Sequence, residues 1–287
     1  MSHLSLLFES PIVRVQDSVC TSGRSGRGEV KADDTTHIAL IRRGCFDYHL
    51  GSRTCFADSS TAIVYDEGAE FCTSHPTDLG DDCTIFTLEP ELMAELFGPR
   101  RRDEQVEYRM DPAAHAAHLS AHATLKRDGG DRLAAEEVAL GVLHRVSRHS
   151  VVTSNAGATD ARRRRIVDAT KRFINAQIDS NIGLAEVARE VGCSSYHLMR
   201  LFRAGTGQSL RGYRARLRIA TAMDRLAQGE GDIAGLAAEL GFASHSHLSN
   251  AFRSVLGVTP GELRHAIGGE DLAARRRFLD ASLRAAA

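Results

Sequence analysis

The sequence lacks any long uninterrupted apolar run, since its apolar stretches are only a few residues long. A membrane-spanning helix needs about 20 predominantly apolar residues, so no such helix is expected. The N-terminus, Met1 to Ser10, carries neither a basic stretch nor an apolar segment of the length found in secretory signals. We therefore expect a cytoplasmic protein with no membrane partner.

Paired cysteines are also lacking. None of the six cysteines forms a CxxC pair, which argues against a zinc ribbon or a thioredoxin-like motif. In a reducing compartment, scattered cysteines usually serve as small buried apolar residues. A thiol sensor built from some of Cys45, Cys55, Cys72 and Cys83 remains an alternative.

Metal-ligand patterns are sparse as well. His115, His118 and His122 have the spacing of one helical face, where they could ligate a metal. No acidic or cysteine ligand falls on the same stripe, and a half-solvated face of an alanine-rich helix explains these residues equally well. We predict no metal and no cofactor.

The net charge of −1 hides a strong asymmetry along the 287 residues. Residues 1–160 hold 16 Lys+Arg against 25 Asp+Glu, which gives −9, whereas residues 161–287 hold 20 against 12, which gives +8. The length favours about two domains. An acidic first half and a basic second half indicate that only the second half binds a polyanion.

The first half is typical of a β-rich domain. Residues 1–90 contain short β-branched runs separated by glycine and aspartate turns, for example Thr36–Arg42, Thr61–Tyr65 and Cys83–Leu88. This spacing predicts a sandwich or a small barrel. The period then changes, and helices are expected near residues 89–97, 112–125 and 133–147. The small, polar segment 151–161 is interpreted as a linker.

An internal repeat dominates the second half. Its copies are Leu184–Arg214 and Ile233–Arg264, and Gly192 of the first matches Gly241 of the second. One extra residue lies inside the second copy, near the start of its later helix. A long helix over Ser209–Gln228 is expected to join the copies.

Each copy has the spacing of a helix-turn-helix unit. In the first, Ala188 is small where two helices cross, and Gly192 follows the first helix at a position that commonly needs a positive φ. Ser194 is placed to cap the next helix, whose inner face carries Leu198 and Phe202. Two such units about 34 Å apart could enter successive turns of the major groove on one side of DNA.

These residues resemble the DNA-binding domain of the AraC/XylS family of bacterial transcription regulators. The segment GFASHSHLSNAFRSVLGVTPGELR, Gly241–Arg264, is very similar to the family signature, and GCSSYHLMRLFRAGTGQSLRGYR, Gly192–Arg214, matches the first-unit pattern. The resemblance covers a little over a third of the chain. For the first half, only the arrangement is similar to the family's cupin-type sensing and dimerising domain.

The expected fold is therefore α+β and multidomain. A cupin-like β-barrel with flanking helices occupies residues 1–150, and a linker follows at 151–161. An all-α domain with two helix-turn-helix units joined by a long helix occupies 162–267, and a helical tail occupies 268–287.

Outward positions near the start of each recognition helix are the candidates for base contacts. Arg200 suits guanine and Asn250 suits adenine, although the family often has arginine where Asn250 stands. Arg203 and Arg253 are expected at phosphates or over the helix surface. The full set of base-facing candidates is Ser195, Tyr196, Met199, Arg200, His245, Ser246, Ser249 and Asn250.

The expected function is sequence-specific transcription regulation rather than catalysis. Promoter DNA and RNA polymerase are the implied partners, and the resemblance implies activation by a homodimer that responds to a small molecule. An effector pocket is predicted at four aromatic residues, which are Phe46, Tyr48, Tyr65 and Phe71. The same residues are also explained as plain core.

Three alternative functions fit the sequence less well than transcription regulation. The first is a metal-dependent cupin enzyme fused to a DNA-binding domain, but the first domain has no HxH pair and His37, His49 and His75 are isolated. The second is a family-related repair methyltransferase, which would need clustered cysteines. The third is a structural DNA binder without a sensor, which the large, apolar first domain disfavours.

Overall fold

The computed structural model describes residues 2–51, 53–78, 80–98, 106–127, 131–148, 151–152 and 158–268. Strands dominate the first half of these residues and helices the second, so the fold is α+β as predicted. The predicted tail lies outside the described residues, apart from Gly268. No helix within these ranges combines the length and the apolar character that crossing a bilayer requires.

Ten strands lie within the described part of residues 2–152. They are β1 (Ser2–Glu9), β2 (Val13–Cys20), β3 (Lys31–Ala32), β4 (His37–Leu50), β5 (Arg53–Asp58), β6 (Thr61–Tyr65), β7 (Glu70–Ser74), β8 (Asp81–Leu88), β9 (Val106–Arg109) and β10 (Val151–Val152). The main sheet has the order β1-β2-β8-β4-β6-β9-β10, and β3, β5 and β7 pair beside it.

Strand β4 belongs to two sheets. Its first part pairs with β6 and β8, and its second part pairs with β5 and β7. Side chains alternate along a strand, so Ile38 and Leu40 join one apolar cluster while Ala39 and Ile41 join another. Both faces of this segment are buried, which is why its sequence is a continuous apolar run rather than an alternating one.

Ten helices lie within the described residues. Three accompany the strands, and seven form the second region. They are α1 (Pro90–Phe97), α2 (Pro112–Arg127), α3 (Arg132–Ser147), α4 (Ala158–Ala176), α5 (Leu184–Glu190), α6 (Ser195–Thr206), α7 (Leu210–Ala227), α8 (Ile233–Glu239), α9 (His245–Leu256) and α10 (Pro260–Gly268).

The predicted linker, residues 151–161, is shorter than expected. Val151 and Val152 form β10 and pair with β9. Helix α4 begins at Ala158. Residues 153–157 of the linker lie outside the described residues.

Helix α2 joins the two regions, and its alanine-rich sequence allows close packing on two sides. Ala114 and Ala117 pack with the main sheet, whereas Ala116 and Leu119 share an apolar cluster with α7, α8, α9 and α10. The segment predicted to support dimerisation, residues 112–148, is thus already covered within the chain over its α2 part.

The prediction of a half-solvated histidine face on α2 is wrong. His115, His118 and His122 are all buried, since both sides of α2 are covered by protein. His118 shares a hydrogen bond of 2.8 Å between its Nε2 and the Thr84 hydroxyl. Burial lowers the pKa of His115 to about 4 and that of His118 well below its ordinary value. The imidazoles of His115 and His118 are therefore neutral at pH 7.

Candidate nucleic-acid interface

Helix α6 presents an exposed outer face next to a buried inner one. The Ser194 hydroxyl caps its start by accepting the His197 N–H at 3.3 Å, and Gly207 ends it with a φ of 74°. The outer face carries Tyr196, which is 68% exposed, and Met199, which is 45% exposed. Tyr196 and Met199 thus form an exposed, largely apolar strip on the outer face of α6.

Arg200 extends this outer face. Its guanidinium carbon lies 5.8 Å from the centroid of the exposed Tyr196 ring, in a cation–π arrangement. Inner residues Leu198, Leu201 and Phe202 are buried. Arg200 is itself exposed, so its guanidinium lies at the outer surface of the helix.

Helix α9 repeats the construction. The Ser244 hydroxyl accepts the His247 N–H at 3.1 Å, and Gly257 ends the helix with a φ of 73°. His245, Ser246 and Asn250 are exposed at the outer face, whereas Ser195 of the first unit is half-buried.

Ser249 was predicted to face the DNA bases, but it is buried. It lies three residues before Phe252, which belongs to the inner stripe of α9. The equivalent position of α6 holds Met199, whose longer side chain extends to solvent from the same edge. A short serine cannot do so, which removes Ser249 from the exposed face.

The cationic side chains divide into two groups. Arg203 and Arg253 are exposed at equivalent positions near the ends of α6 and α9. Arg214 and Arg264 instead bind backbone carbonyl oxygens within the protein, those of Ile182 and Gly231. The first pair is therefore more exposed to solvent than the second.

Arg218 on α7 fixes the two units relative to each other. Its Nε donates to the Ile178 carbonyl oxygen at 2.6 Å and its Nη1 to the Gly241 carbonyl oxygen at 2.8 Å. A third bond, from Nη2, reaches the Ser180 carbonyl oxygen at 3.1 Å. Burial lowers the pKa of Arg218 to about 10, which still leaves it charged at pH 7. This role was not predicted from the sequence.

Gly241 is required beside this arginine. Its φ is +67°, and a Cβ would lie 2.4 Å from both Arg218 Nη2 and the Asp179 carbonyl oxygen. The sequence predicted the positive φ here and at Gly192, where φ is +69°. The close approach to α7 is an additional reason for glycine at position 241.

Known proteins match the second region. A family model described as a helix-turn-helix domain matches residues 187–266. The regulatory protein SoxS of Escherichia coli (strain K12) is 31% identical over 103 residues, which are 36% of this chain and 96% of SoxS. The regulatory protein PocR of Salmonella typhimurium is 31% identical over 96 residues, 33% of this chain and 32% of PocR.

The chain belongs to the AraC/XylS family. It is an AraC-type DNA-binding transcription regulator, and the matched helix-turn-helix model, residues 187–266, spans most of both units. Among solved structures, ToxT from Vibrio cholerae is 15% identical with a TM-score of 0.35, and the match covers 88% of this chain and 98% of ToxT.

In this AraC/XylS family member, a polar seam connects the strands to the DNA-binding helices. We define the polar seam as Asp47, Asp58, Arg172, Asn175 and Tyr213. Arg172 Nε donates to both carboxylate oxygens of Asp47, at 2.9 and 3.0 Å. Asp58 is fully buried and accepts the Tyr213 hydroxyl and the Asn175 amide. Burial and the Asp58 charge raise the pKa of Tyr213 well above its ordinary value, so the phenol stays protonated and donates.

The four aromatic residues predicted to line an effector pocket lie in the core between the strands. Tyr48, Tyr65 and Phe71 pack on one another with centroids 4.7 to 5.4 Å apart, and Phe46 belongs to the same cluster. Effector binding by these four residues stays a prediction, and their mutual packing explains their burial without a ligand.

The buried thiols weigh against the alternative of a cysteine sensor. Burial raises the pKa of Cys45 to about 12 and the pKa values of Cys55 and Cys83 well above the ordinary value. The thiolate is the reactive form of cysteine, and it is disfavoured at all three positions at neutral pH.

Proposed function

We propose that this regulator activates a specific promoter as a homodimer that contacts RNA polymerase, in response to a small molecule bound by its first region. The observation that carries the DNA-binding part is the pair of capped helices, α6 and α9, with exposed polar side chains at equivalent positions. Arg218 bonds to the segment that precedes the first unit and to the turn between the two helices of the second unit. Strand β4, which belongs to two sheets, supports a cupin-like barrel as the sensing domain.

Each helix is proposed to read one major-groove segment. Arg200 donates two parallel bonds to guanine O6 and N7, and Tyr196 and Met199 pack on thymine methyl groups. In the second unit, Asn250 pairs with adenine, while His245 and Ser246 bind bases or phosphates. Arg203 and Arg253 neutralise phosphates.

Binding to selected DNA tests this function. Operator fragments are selected with the purified full chain and compared with scrambled duplexes of the same length at 50 to 200 mM salt. The operator is expected to bind at least ~10³-fold more tightly. If six to ten phosphates are neutralised, affinity falls by roughly 10³ to 10⁵ over that salt range. Equal affinity for operator and scrambled DNA would refute the proposal.

Substituting Arg200 tests base readout. Arg200→Ala is expected to cost about 1–3 kcal/mol of operator binding and to relax base preference at one position, because a bidentate contact is lost. Arg132→Ala is the matched control, since Arg132 is an exposed arginine on α3 that pairs with Glu136. Uniform weakening across all operator variants would assign Arg200 to a phosphate instead.

A cavity supports the sensing part of the proposal. It has a volume of about 360 Å³ and lies where α1 meets the ends of β4, β6 and β8. This volume is within the range of small-molecule sites. Its lining includes Thr35, Asp66, Glu67, Thr87 and Met93, so it combines carboxylate and hydroxyl groups with apolar side chains. A ligand with hydrogen-bond donors and an apolar portion would fit.

A further inference from the structure

Three potential metal ligands meet in the strand region. Cys20 ends β2, Asp81 begins β8, and His75 follows β7. Their ligand atoms all lie within 4.8 Å of one another, and all three side chains are buried. This cluster belongs neither to the proposed DNA contacts nor to the polar seam.

The backbone places these groups together. Cys20 is the direct partner of Asp81 in the antiparallel pairing of β2 and β8, so their side chains share one face. His75 is held by a bridge to Ser25, with the Ser25 N–H donating to the His75 carbonyl oxygen at 3.0 Å.

Glycine makes this close approach sterically possible. Gly80 directly precedes Asp81 with a φ of +63°, and a Cβ there would lie 2.1 Å from the Cys20 carbonyl oxygen. Any larger residue would push the strand ends apart and separate Cys20 from Asp81.

His75 Nε2 lies next to both of the other candidate ligands. It is 2.8 Å from Asp81 Oδ1 and 3.5 Å from Cys20 Sγ. A protonated Nε2 donates to Asp81, and the sulfur is only a weak acceptor for the same proton. A metal ion between the three atoms would satisfy a thiolate, an imidazole nitrogen and a carboxylate simultaneously.

We propose that Cys20, His75 and Asp81 form a binding site for a zinc-class divalent transition metal. Thiolate, imidazole and carboxylate are all ordinary zinc ligands. Zinc distances of about 2.3 Å to sulfur and 2.0–2.1 Å to nitrogen give a tetrahedral S···N separation of about 3.6 Å, close to the 3.5 Å between Cys20 Sγ and His75 Nε2. A tetrahedral zinc site has an N···O separation of about 3.3 Å, whereas His75 Nε2 and Asp81 Oδ1 are 2.8 Å apart. Metal binding therefore requires Asp81 Oδ1 to move about 0.5 Å away from His75 Nε2.

The surrounding groups orient these ligands. His75 Nδ1 lies 3.2 Å from the Ser25 hydroxyl, which fixes the ring with Nε2 directed at the cluster. The second oxygen of Asp81 accepts the Cys83 thiol at 3.4 Å. Metal-bound histidines usually have such a partner on the other ring nitrogen.

Titration of the purified, metal-free full chain with Co²⁺ tests the proposal. We expect one equivalent to bind, with a thiolate-to-cobalt charge-transfer band, and equimolar Zn²⁺ to displace it. Cys20→Ser and His75→Gln are expected to weaken binding by at least ~100-fold, since each removes a ligand. Ser25→Ala keeps all three ligands and is expected to weaken binding by roughly 10- to 100-fold.

Cys72→Ser is the matched control, because Cys72 is also a buried free cysteine of the strand region. It is expected to bind Co²⁺ like the unmodified chain. Circular dichroism identifies any variant that fails to fold. If a ligand variant does not fold, Ser25→Ala provides the test, because it keeps all three ligands and changes the structure least. Substoichiometric binding by the unmodified chain, or equal binding by the Cys20→Ser and Cys72→Ser variants, would overturn the proposal.

Discussion

Replacing Gly44 by alanine is expected to destabilise the strand region by about 3 kcal/mol or more. Gly44 has a φ of +76°, and a Cβ there would lie 2.0 Å from the Gly80 carbonyl oxygen and 2.9 Å from the Asp81 Cα. The clashing atoms belong to the backbone, so no side-chain rotation relieves them. Relief requires β4 and β8 to separate, which disrupts packing on both faces.

Gly51→Ala is the control for this prediction. Gly51 also has a positive φ, +56°, but nothing lies within 4 Å of its ideal Cβ. The substitution therefore carries only the left-handed backbone cost, about 1–2 kcal/mol. Urea unfolding followed by circular dichroism measures both changes. Equal losses at the two positions would show that the close approach of β4 to Gly80 contributes nothing to stability.

Removing the Asp58 carboxylate is expected to cost about 3–5 kcal/mol, because a buried, multiply bonded charge is deleted and its partners remain. Asp58→Ala leaves the Tyr213 hydroxyl without its carboxylate acceptor and removes one acceptor of the Asn175 amide. It also removes a counter-charge of Lys171. The pKa of Lys171 is raised above its ordinary value. Burial alone would lower it, but the negative charges of Asp58 and other nearby acids have the larger combined effect.

Scanning calorimetry should distinguish this effect from simple destabilisation. Because Asp58 bonds across the polar seam, one cooperative transition is expected to become two, with the DNA-binding helices unfolding separately from the strands. Asp34→Ala, at an exposed aspartate of the first region, should shift stability by at most about 0.5 kcal/mol. A single, merely lowered transition for Asp58→Ala would indicate that the two regions are not coupled through this carboxylate.

Local patterns in the sequence were sufficient to predict the helix-turn-helix units. The cap at Ser194 and the positive φ at Gly192 depend on residues within a few positions of each other. Such features are set by short-range sterics and hydrogen bonding, which a single sequence displays.

Long-range partnerships could not be predicted in this way. Asp58 meets Tyr213 across 155 residues, and Cys20 meets His75 across 55. No spacing motif marks either pair, because tertiary docking and strand register bring them together. The burial of the α2 histidines had the same origin, since alanines that looked like a solvated face instead allow helices to approach on both sides.

The guanidinium of Arg218 has a consequence for the DNA that this regulator can accept. This one side chain bonds to the segment before the first unit and to the turn inside the second unit. The spacing between the units is therefore fixed in the free protein, before DNA binds. An operator lengthened by half a helical turn between its two recognised segments cannot be matched by stretching the protein. The duplex itself must twist or bend to restore phase, and the stiffness of the intervening base pairs then becomes part of the recognition.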